Sequence, residues 1–170
     1  TRKITRGLTR IHYGIQNELV LGNLDAKRDW GHAKEYVELM WLSLQHEKPY
    51  DFVAASGKQY SIREFINICL EILGINITWS GSGVDEVGIV KSFKGKEYEK
   101  NSKIRVGDKI IKISEEYFRP SEVDSLLGDS SFAKEKLGWE CKINIYDLAK
   151  EMMDADKKLA YSEFLIKTSK

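Results

Sequence analysis

Residues 22–32 read Gly-Asn-Leu-Asp-Ala-Lys-Arg-Asp-Trp-Gly-His and join the short apolar segment Glu18–Leu21 to a long predicted helix. A second stretch of the same kind, Tyr-Phe-Arg-Pro-Ser-Glu-Val, stands at residues 117–123. Each stretch places an arginine beside a carboxylate where an irregular loop meets a predicted helix. A planar guanidinium matches the oxygens of a phosphate, and the free N–H groups of a helix N-terminus attract anions. Two such loops in one small chain predict a phosphate-bearing ligand.

Helical and strand-like patterns alternate on both sides of these loops, which predicts an α/β fold. Apolar residues at helical spacing predict helices at about residues 2–13, 33–48, 61–74, 130–137 and from 144 onward. Short apolar runs predict strands at about residues 18–21, 52–55, 75–79 and 110–113. The chain contains no internal repeat and no low-complexity segment, so we expect one domain or one lobe.

Two further expectations concern burial, and a third concerns an irregular segment. Phe52–Ala55 is bounded by Asp51 and Gly57, which is typical of a buried parallel strand. Trp41 lies on the apolar stripe of the second predicted helix, so we expect it in the core. Gly81–Lys103 is rich in Gly, Lys and Glu with little periodicity, which predicts an excursion or a mobile loop.

The composition excludes several classes of protein. The 170 residues carry 27 Lys and Arg against 26 Asp and Glu, and a net charge of +1 argues against nucleic-acid binding through the overall field. Arg2, Arg6 and Arg10 are predicted to form the solvated face of the first helix. No apolar run reaches the ~18 residues of a membrane span. Cys69 and Cys141 lack ligand-spaced Cys or His neighbours, so we expect free thiols, a reducing compartment such as the cytoplasm, and no metal site.

Arg28 is the leading candidate for a ligand contact, because it follows the Gly22 turn and precedes a helix start. The alternative is a surface ion pair with Asp25 or Asp29, worth about 1 kcal/mol or less. The residues alone leave these two interpretations balanced. We expect the Asp29 carboxylate to be stabilised by the positive end of the following helix. We expect His32 to cap that helix or to pack, rather than to act as a base.

Arg119 and Glu122 are the second candidate pair. Pro120 fixes the first turn of a helix, with Arg119 just outside it and Glu122 about one turn inward. The arginine could hold a phosphate oxygen while the carboxylate accepts hydrogen bonds from ribose hydroxyls. From the residues alone, a carboxylate at a helix N-terminus is the simpler interpretation of Glu122, and Arg119 stays undecided. The sequence contains no Ser-His-Asp set, zinc spacing, Walker loop or Gly-rich dinucleotide turn.

These loops are also the centre of a resemblance to a known family. The run Leu-Gly-Asn-Leu-Asp-Ala-Lys-Arg-Asp-Trp-Gly-His-Ala-Lys at residues 21–34 is more specific than a generic nucleotide motif, and residues 117–123 provide an independent match. Further matching stretches are Thr1–Ile4, Phe52–Gly57, Tyr60–Phe65, Arg119–Gly128 and Ala133–Trp139. On these residues the chain resembles the C-terminal half of the GDP-mannose 4,6-dehydratases, within the extended short-chain dehydrogenase/reductase family. Residues 88–102 depart from the pattern.

The resemblance implies that residues 1–170 are the nucleotide-sugar-binding C-terminal part of such an enzyme, a substrate-binding lobe with part of the Rossmann sheet. The chain begins without Met inside a predicted helix, so we expect a fragment whose N-terminal NADP-binding Rossmann domain lies outside it. The family activity is that of a lyase in GDP-fucose biosynthesis, converting GDP-mannose to GDP-4-keto-6-deoxymannose and water. NADP takes a hydride from C4 of the sugar and returns it to C6.

Carried over residue by residue, the resemblance implies that Lys3 contacts the nucleotide-sugar. Arg28 and Arg119 then hold the diphosphate or nucleotide, and Glu122 the ribose or guanosine side. The family's catalytic and NADP-binding residues fall outside this chain. The implied partners are GDP-mannose and further copies of the enzyme as a dimer or tetramer, with no nucleic acid and no membrane. Two alternatives stay open: a non-catalytic nucleotide-sugar-binding module, and a related epimerase or reductase of the extended family.

Overall fold

The structure of the chain, a computed structural model, describes residues 1–95, 102–117 and 123–169. Its helices are α1 (Arg2–His12), α2 (Ala33–Gln45), α3 (Ile62–Ile72), α4 (Ser131–Leu137) and α5 (Ile145–Thr168). Its strands are β1 (Leu19–Leu21), β2 (Lys27–Asp29), β3 (Gln59–Ser61), β4 (Ile75–Ser80), β5 (Val87–Phe93) and β6 (Lys109–Ile113). Short 3₁₀ turns stand at Gly83–Asp85 and Glu115–Tyr117. The predicted α/β class is confirmed.

Four strands form the main sheet, in the order β1-β6-β5-β4. β1 and β6 run parallel, with Leu21 opposite Ile113, whereas β6, β5 and β4 pair antiparallel. β2 and β3 form a separate antiparallel pair. Because β1 and β6 are neighbours and parallel, their carboxyl ends lie at the same edge of the sheet.

The core lies where α1, α3 and α5 pack together beside this sheet. Its largest fully buried side chains include Leu8, Phe65, Ile66, Ile110, Ile111 and Met153. Gly7 allows α1 to approach β1 closely, since a Cβ at this position would lie 2.8 Å from Cδ1 of Leu19. The capping box of Ser61 and Glu64 starts α3, and Asn144 caps α5.

The expectation of an excursion or a mobile loop over Gly81–Lys103 was wrong for most of the segment, and residues 96–101 lie outside the described part. β5 runs through it and pairs with β4 on one side and β6 on the other. Gly88 explains the weak periodicity, because it occupies a buried position of the strand without an apolar side chain. A Cβ there would lie 3.1 Å from side-chain atoms of both Ile77 and Ile111.

The expected strand at Phe52–Ala55 was wrong, although Ala55 itself is buried, and the expected burial of Trp41 was wrong as well. Residues 52–55 are not paired in a ladder with any described strand, and Val53 is exposed. On α2, Leu39 packs against Trp139 while Trp41 points outward with 60% of its surface exposed. The helix therefore buries the face that carries Leu39 and leaves uncovered an apolar stripe formed by Val37, Met40, Trp41 and Leu44.

Arg2, Arg6 and Arg10 do not form a merely solvated face. Arg2 lies 3.3 Å from the buried carboxylate of Asp156, while Arg6 and Arg10 both pair with Glu163. These residues fasten α1 to α5, because each arginine meets a carboxylate of the long helix.

Cys69 and Cys141 are free thiols, as expected. Within the described ranges, no helix is long and apolar enough to cross a membrane.

Candidate functional site

The two predicted phosphate loops leave the sheet at the same edge. The segment that leads to Arg28 follows the carboxyl end of β1, and in the sequence the stretch from Tyr117 to Val123 follows β6. The two ends are joined directly, because the N–H of Ser114 donates to the carbonyl oxygen of Leu21 at 2.9 Å. Ligands of open α/β sheets bind outside the carboxyl ends of the strands, so this edge is the candidate site.

Arg28 lies in β2 opposite Tyr60, and not in an irregular loop as expected. Its Nη1 donates to the carbonyl oxygens of Lys27 at 2.8 Å and of Val123 at 2.6 Å. A backbone hydrogen bond joins the same two segments, since the N–H of Lys27 donates to the carbonyl oxygen of Asp124 at 2.8 Å. The strand that carries Arg28 is therefore attached to the segment that follows the second loop.

Arg119 and Glu122 lie outside the described residues, and their predicted roles stay predictions. The structure describes the residues on either side of them. Tyr117 ends the 3₁₀ turn after β6, and the carbonyl oxygen of Val123 accepts a hydrogen bond from Arg28. The chain that links these two points therefore starts and ends beside the candidate site.

Asp29 does not serve the helix N-terminus, which was its expected role. Its Oδ1 accepts from the N–H of Ser56 at 2.9 Å and from the Ser56 hydroxyl at 2.5 Å. Its Oδ2 accepts from the N–H of Gly57 at 2.9 Å and more distantly from that of Gly128 at 3.4 Å. The carboxylate thus holds two neighbouring loops to the end of β2. Asp25 has a different partner, since it pairs with Arg63 at 3.0 Å.

His32 caps α2, as expected. Its Nδ1 accepts from the N–H of Lys34 at 3.1 Å, so its ring proton lies on Nε2 when the ring is neutral. That nitrogen lies 3.2 Å from Oε2 of Glu151 on α5. The ring is buried in this arrangement, which ties the start of α2 to α5.

Lys3 reaches the same edge of the sheet from α1. Its Nζ lies 3.5 Å from the centroid of the Tyr117 ring. Partial burial lowers the pKa of Lys3 from its ordinary value, and the neighbouring Glu116 carboxylate counteracts part of that shift. Lys3 and Tyr117 line a groove of about 430 Å³ between α1 and β1. The structure therefore brings Lys3 to the first residue of the second loop.

The sequence did not indicate the role of Tyr117 in this site and gave Asp29 the wrong role. Tyr117 belongs to the stretch that contains Arg119, but nothing in its spacing indicated that its ring would meet Lys3. Asp29 was attributed to the nearest helix, because its actual partners are 27 and more residues away. Among the described residues, no group of three or more His, Cys, Asp or Glu could hold a metal ion.

Comparison with known sequences identifies close relatives. A profile described as "GDP-mannose 4,6 dehydratase" matches residues 1–152. The GDP-mannose 4,6-dehydratase of Vibrio cholerae is 48% identical over 167 residues, which cover 98% of this chain and 44% of that protein. The GDP-mannose 4,6 dehydratase of Homo sapiens is 43% identical over 159 residues, covering 94% and 39%. The chain thus spans less than half the length of the curated relatives it matches.

Solved structures share the fold at much lower identity. RMD from Pseudomonas aeruginosa, complexed with NADPH, superposes with a TM-score of 0.66 at 17% identity, over 93% of this chain and 42% of that one. The UDP-glucose 4-epimerase of Bifidobacterium longum, in complex with NAD+ and UDP, gives a TM-score of 0.59 at 16% identity, over 92% and 39%. At these identities the similarity supports the fold alone.

Proposed function

The chain belongs to the GDP-mannose 4,6-dehydratase family, and we propose on this basis that it is the nucleotide-sugar-binding part of such an enzyme. The complete protein would be a lyase that converts GDP-mannose to GDP-4-keto-6-deoxymannose and water. NADP, when bound, supplies the site that takes up and returns a hydride, so the reaction has no net redox change. The residues of this chain hold the substrate in register with that cofactor.

The observation that carries the proposal is the position of Arg28. It lies in β2, the strand that follows β1 in the chain, and it contacts the segment that follows the second arginine loop. We propose that Arg28 and Arg119 bind the diphosphate, that Glu122 accepts hydrogen bonds from the ribose, and that Lys3 contacts the nucleotide. A diphosphate carries enough charge for two guanidinium groups, and bidentate contacts would fix its orientation.

The residues of this chain fit the nucleotide-sugar better than the cofactor. The sequence offers arginine loops for a diphosphate, but no Gly-rich turn of the kind that binds a dinucleotide. We therefore propose that a separate N-terminal Rossmann domain binds NADP, and that residues 1–170 bind no part of the cofactor by a dedicated motif.

The uncovered stripe of α2 supports this division of the protein. Val37, Met40, Trp41 and Leu44 follow one another at helical spacing and are all more than half exposed. Exposed apolar patches of this kind mark interfaces. Val53, in the unpaired segment 52–55, is exposed as well. We propose that the N-terminal domain covers the α2 stripe and supplies a strand that pairs with residues 52–55.

The direct test is to incubate the full-length protein with GDP-mannose and NADP and to follow the sugar nucleotide by mass spectrometry. A dehydratase removes the mass of one water from GDP-mannose while the NADP concentration stays constant. An epimerase would leave the mass unchanged, and a reductase would consume NADPH with a keto-sugar substrate. A non-catalytic binding module would bind GDP-mannose and leave it intact, which would contradict the proposed activity.

The proposed setting of the complete enzyme is the cytoplasm, with assembly as a dimer or tetramer and without nucleic-acid or membrane partners. The two free thiols are consistent with a reducing compartment. Light scattering of the full-length protein would measure the assembly, and a monomer at micromolar concentration would contradict it.

A further inference from the structure

Arg63, in the first turn of α3, connects this helix to three other parts of the chain. Its Nη1 and Nη2 donate to the two carboxylate oxygens of Glu86 at 2.7 and 3.0 Å. Its Nε and Nη2 donate to Oδ1 of Asp25 at 3.1 and 3.0 Å. Its Cζ also lies 4.7 Å from the centroid of the Trp79 ring. Since the side chains of Arg63 and Glu86 are only 23% and 15% exposed, this pair is better shielded than an ordinary surface ion pair.

The backbone at the start of α3 contacts the same segment as the Arg63 side chain. The N–H of Ile62 donates to the carbonyl oxygen of Ala26 at 3.2 Å, and the N–H of Arg63 donates to that of Leu24 at 2.9 Å. N–H groups of a first helical turn have no partner inside their own helix, so these carbonyl groups satisfy them. Arg63 thus holds the segment that leads from β1 into β2 through its backbone as well as through its side chain.

These contacts bear on Arg28, because β2 depends on them for its position. β2 and β3 have three residues each, and a two-stranded antiparallel pair is at best marginally stable on its own. Asp29 holds the last residue of β2 to the loop at residues 56–57. Asp25 precedes β2 closely in the sequence, and its contact with Arg63 holds the start of the strand. The strand that carries Arg28 is therefore attached at both ends.

We propose that Arg63 is a positioning residue for the nucleotide-sugar: through Asp25 it holds the start of β2 and thereby sets where Arg28 meets the diphosphate. The proposal rests on the proposed nucleotide-sugar function and on the role proposed there for Arg28. A guanidinium that binds a diphosphate must be oriented to make its parallel hydrogen bonds, so a small displacement of its strand lowers the affinity. Arg63 acts through Arg28 and does not itself bind the ligand.

The sign of the effect separates positioning from a simple effect of charge. If the acidic Asp25 acted on a diphosphate at Arg28 only through its charge, its removal would strengthen the binding of that anion. Positioning predicts the opposite, so Asp25→Ala should weaken binding although it removes a negative charge. The fold should be retained, because the Asp25 side chain is 77% exposed and Arg63 keeps its pair with Glu86.

The test is a calorimetric titration of GDP-mannose into the full-length enzyme. Asp25→Ala should weaken binding about 3- to 10-fold, and Asp25→Asn less, because the amide oxygen still accepts a hydrogen bond. Arg63→Lys keeps the positive charge without the planar fork and should weaken binding at least as much as Asp25→Ala. Asp154→Ala is the matched control, since it removes an exposed carboxylate paired with Lys150 on α5, and it should change the Kd by less than about twofold.

Two further measurements show whether the effect passes through β2. In an Arg28→Ala enzyme, the additional change Asp25→Ala should alter the Kd by less than about twofold, because the side chain that it positions is absent. Hydrogen exchange needs no ligand. The N–H of Lys27 is bonded to the carbonyl oxygen of Asp124, and it should exchange about threefold faster or more in Asp25→Ala at an unchanged melting temperature.

Unchanged or tighter binding of GDP-mannose by Asp25→Ala would overturn the positioning role. An equal loss with and without Arg28, or an unchanged exchange rate at Lys27, would overturn it as well. If the exchange rate rises as expected but the wild type binds no GDP-mannose, the anchoring of β2 is supported and the proposed function is contradicted, which distinguishes the two failures.

Discussion

Nη1 of Arg28 donates a hydrogen bond of 2.6 Å to the carbonyl oxygen of Val123, which is 95 residues away in the sequence. This contact joins the loop that follows β1 to the loop that follows β6. The parallel pairing of β1 with β6 brings the carboxyl ends of these two strands to one edge of the sheet. The sheet topology thus explains why two segments so far apart in sequence meet at one edge.

Asp29 is predicted to be a structural anchor of this edge. Asp29→Ala removes the acceptor for the N–H groups of Ser56 and Gly57 and should destabilise the protein by about 2–3 kcal/mol. The melting temperature of the full-length enzyme should fall by about 2–4 °C, as calorimetry would measure. Asp29→Asn should cost less, because an amide keeps one acceptor oxygen.

Asp25→Ala is the matched control for this effect. Asp25 is an exposed carboxylate of the same loop, and its partner Arg63 keeps a second ion pair with Glu86 at 2.7 Å. Loss of the ion pair between Asp25 and Arg63 should lower the free energy of unfolding by about 1 kcal/mol or less. If both alanine variants unfold at the same temperature, Asp29 does not hold the loops together.

Glu122 and Arg119 are predicted to affect substrate binding more than stability. Arg119→Ala and Glu122→Gln should each raise KM for GDP-mannose with little change in melting temperature, and the glutamine variant should be the milder one. A 2′- or 3′-deoxy GDP analogue should bind the wild type more weakly than GDP does. In the Glu122→Ala variant, GDP and the deoxy analogue should bind with nearly the same affinity. Unchanged binding combined with a stability loss of about 0.3–1 kcal/mol would instead identify Glu122 as a helix-end carboxylate.

The two thiols are predicted to be unreactive at neutral pH. Burial raises the pKa of Cys69 to about 12 and that of Cys141 to about 11, from an ordinary value of 9.0. Since the thiolate is the reactive form, both residues of the folded enzyme should react with iodoacetamide at pH 8 far more slowly than a free thiol. Peptide mapping by mass spectrometry measures this, and labelling of Cys69 at the rate of the unfolded chain would contradict its burial.

The same pKa shifts predict the direction of a pH effect on stability. The folded protein keeps both thiol protons to a higher pH than the unfolded chain does. The stabilisation from the neutral thiols is therefore complete below about pH 9 and is lost as the pH rises through 11 and 12. Cys69→Ala should flatten this alkaline decline, as melting temperatures across that range would show.

The isolated 170-residue chain is predicted to be marginally stable or to associate through its uncovered α2 stripe. Met40→Lys combined with Leu44→Lys should reduce the association seen by sedimentation, because both side chains are exposed and belong to the stripe. Ile166→Lys, at a similarly exposed position on α5, should leave it unchanged. A sharp, concentration-independent monomeric unfolding transition of the unmodified chain would count against the prediction.

The sequence predicted the elements that have strong local signals and missed those that depend on distant partners. The α5 helix and the strands at Ile75–Ser80 and Lys109–Ile113 have clear periodicity and were predicted correctly. β5 was missed, because Gly88 interrupts its alternation and the strand is fixed by its two neighbours. The exposure of Trp41 could not be predicted either, since an apolar stripe does not reveal whether its covering surface belongs to the same chain.

The candidate site was likewise predicted from the sequence only where the signal is local. Arginine beside a carboxylate at a helix boundary identified Arg28 as a candidate without any structural information. The contact between Lys3 and Tyr117 depends on the parallel pairing of β1 with β6, which no local pattern contains. Asp29 was assigned to the N-terminus of the next helix, because its actual hydrogen-bond partners Ser56, Gly57 and Gly128 are distant in the sequence.

The most direct test of the nucleotide-sugar site is a calorimetric titration of GDP-mannose into the full-length enzyme and its Arg28→Ala variant. Arg105→Ala is the control, because Arg105 is an exposed arginine that precedes β6 and so lies towards the opposite end of that strand. Loss of a charge-assisted contact predicts that Arg28→Ala weakens binding by about 2–4 kcal/mol, while Arg105→Ala binds normally. The affinity of both variants for NADP should stay at the wild-type value. An Arg28→Ala enzyme that binds GDP-mannose as tightly as the wild type would contradict the assignment of this edge as the substrate site.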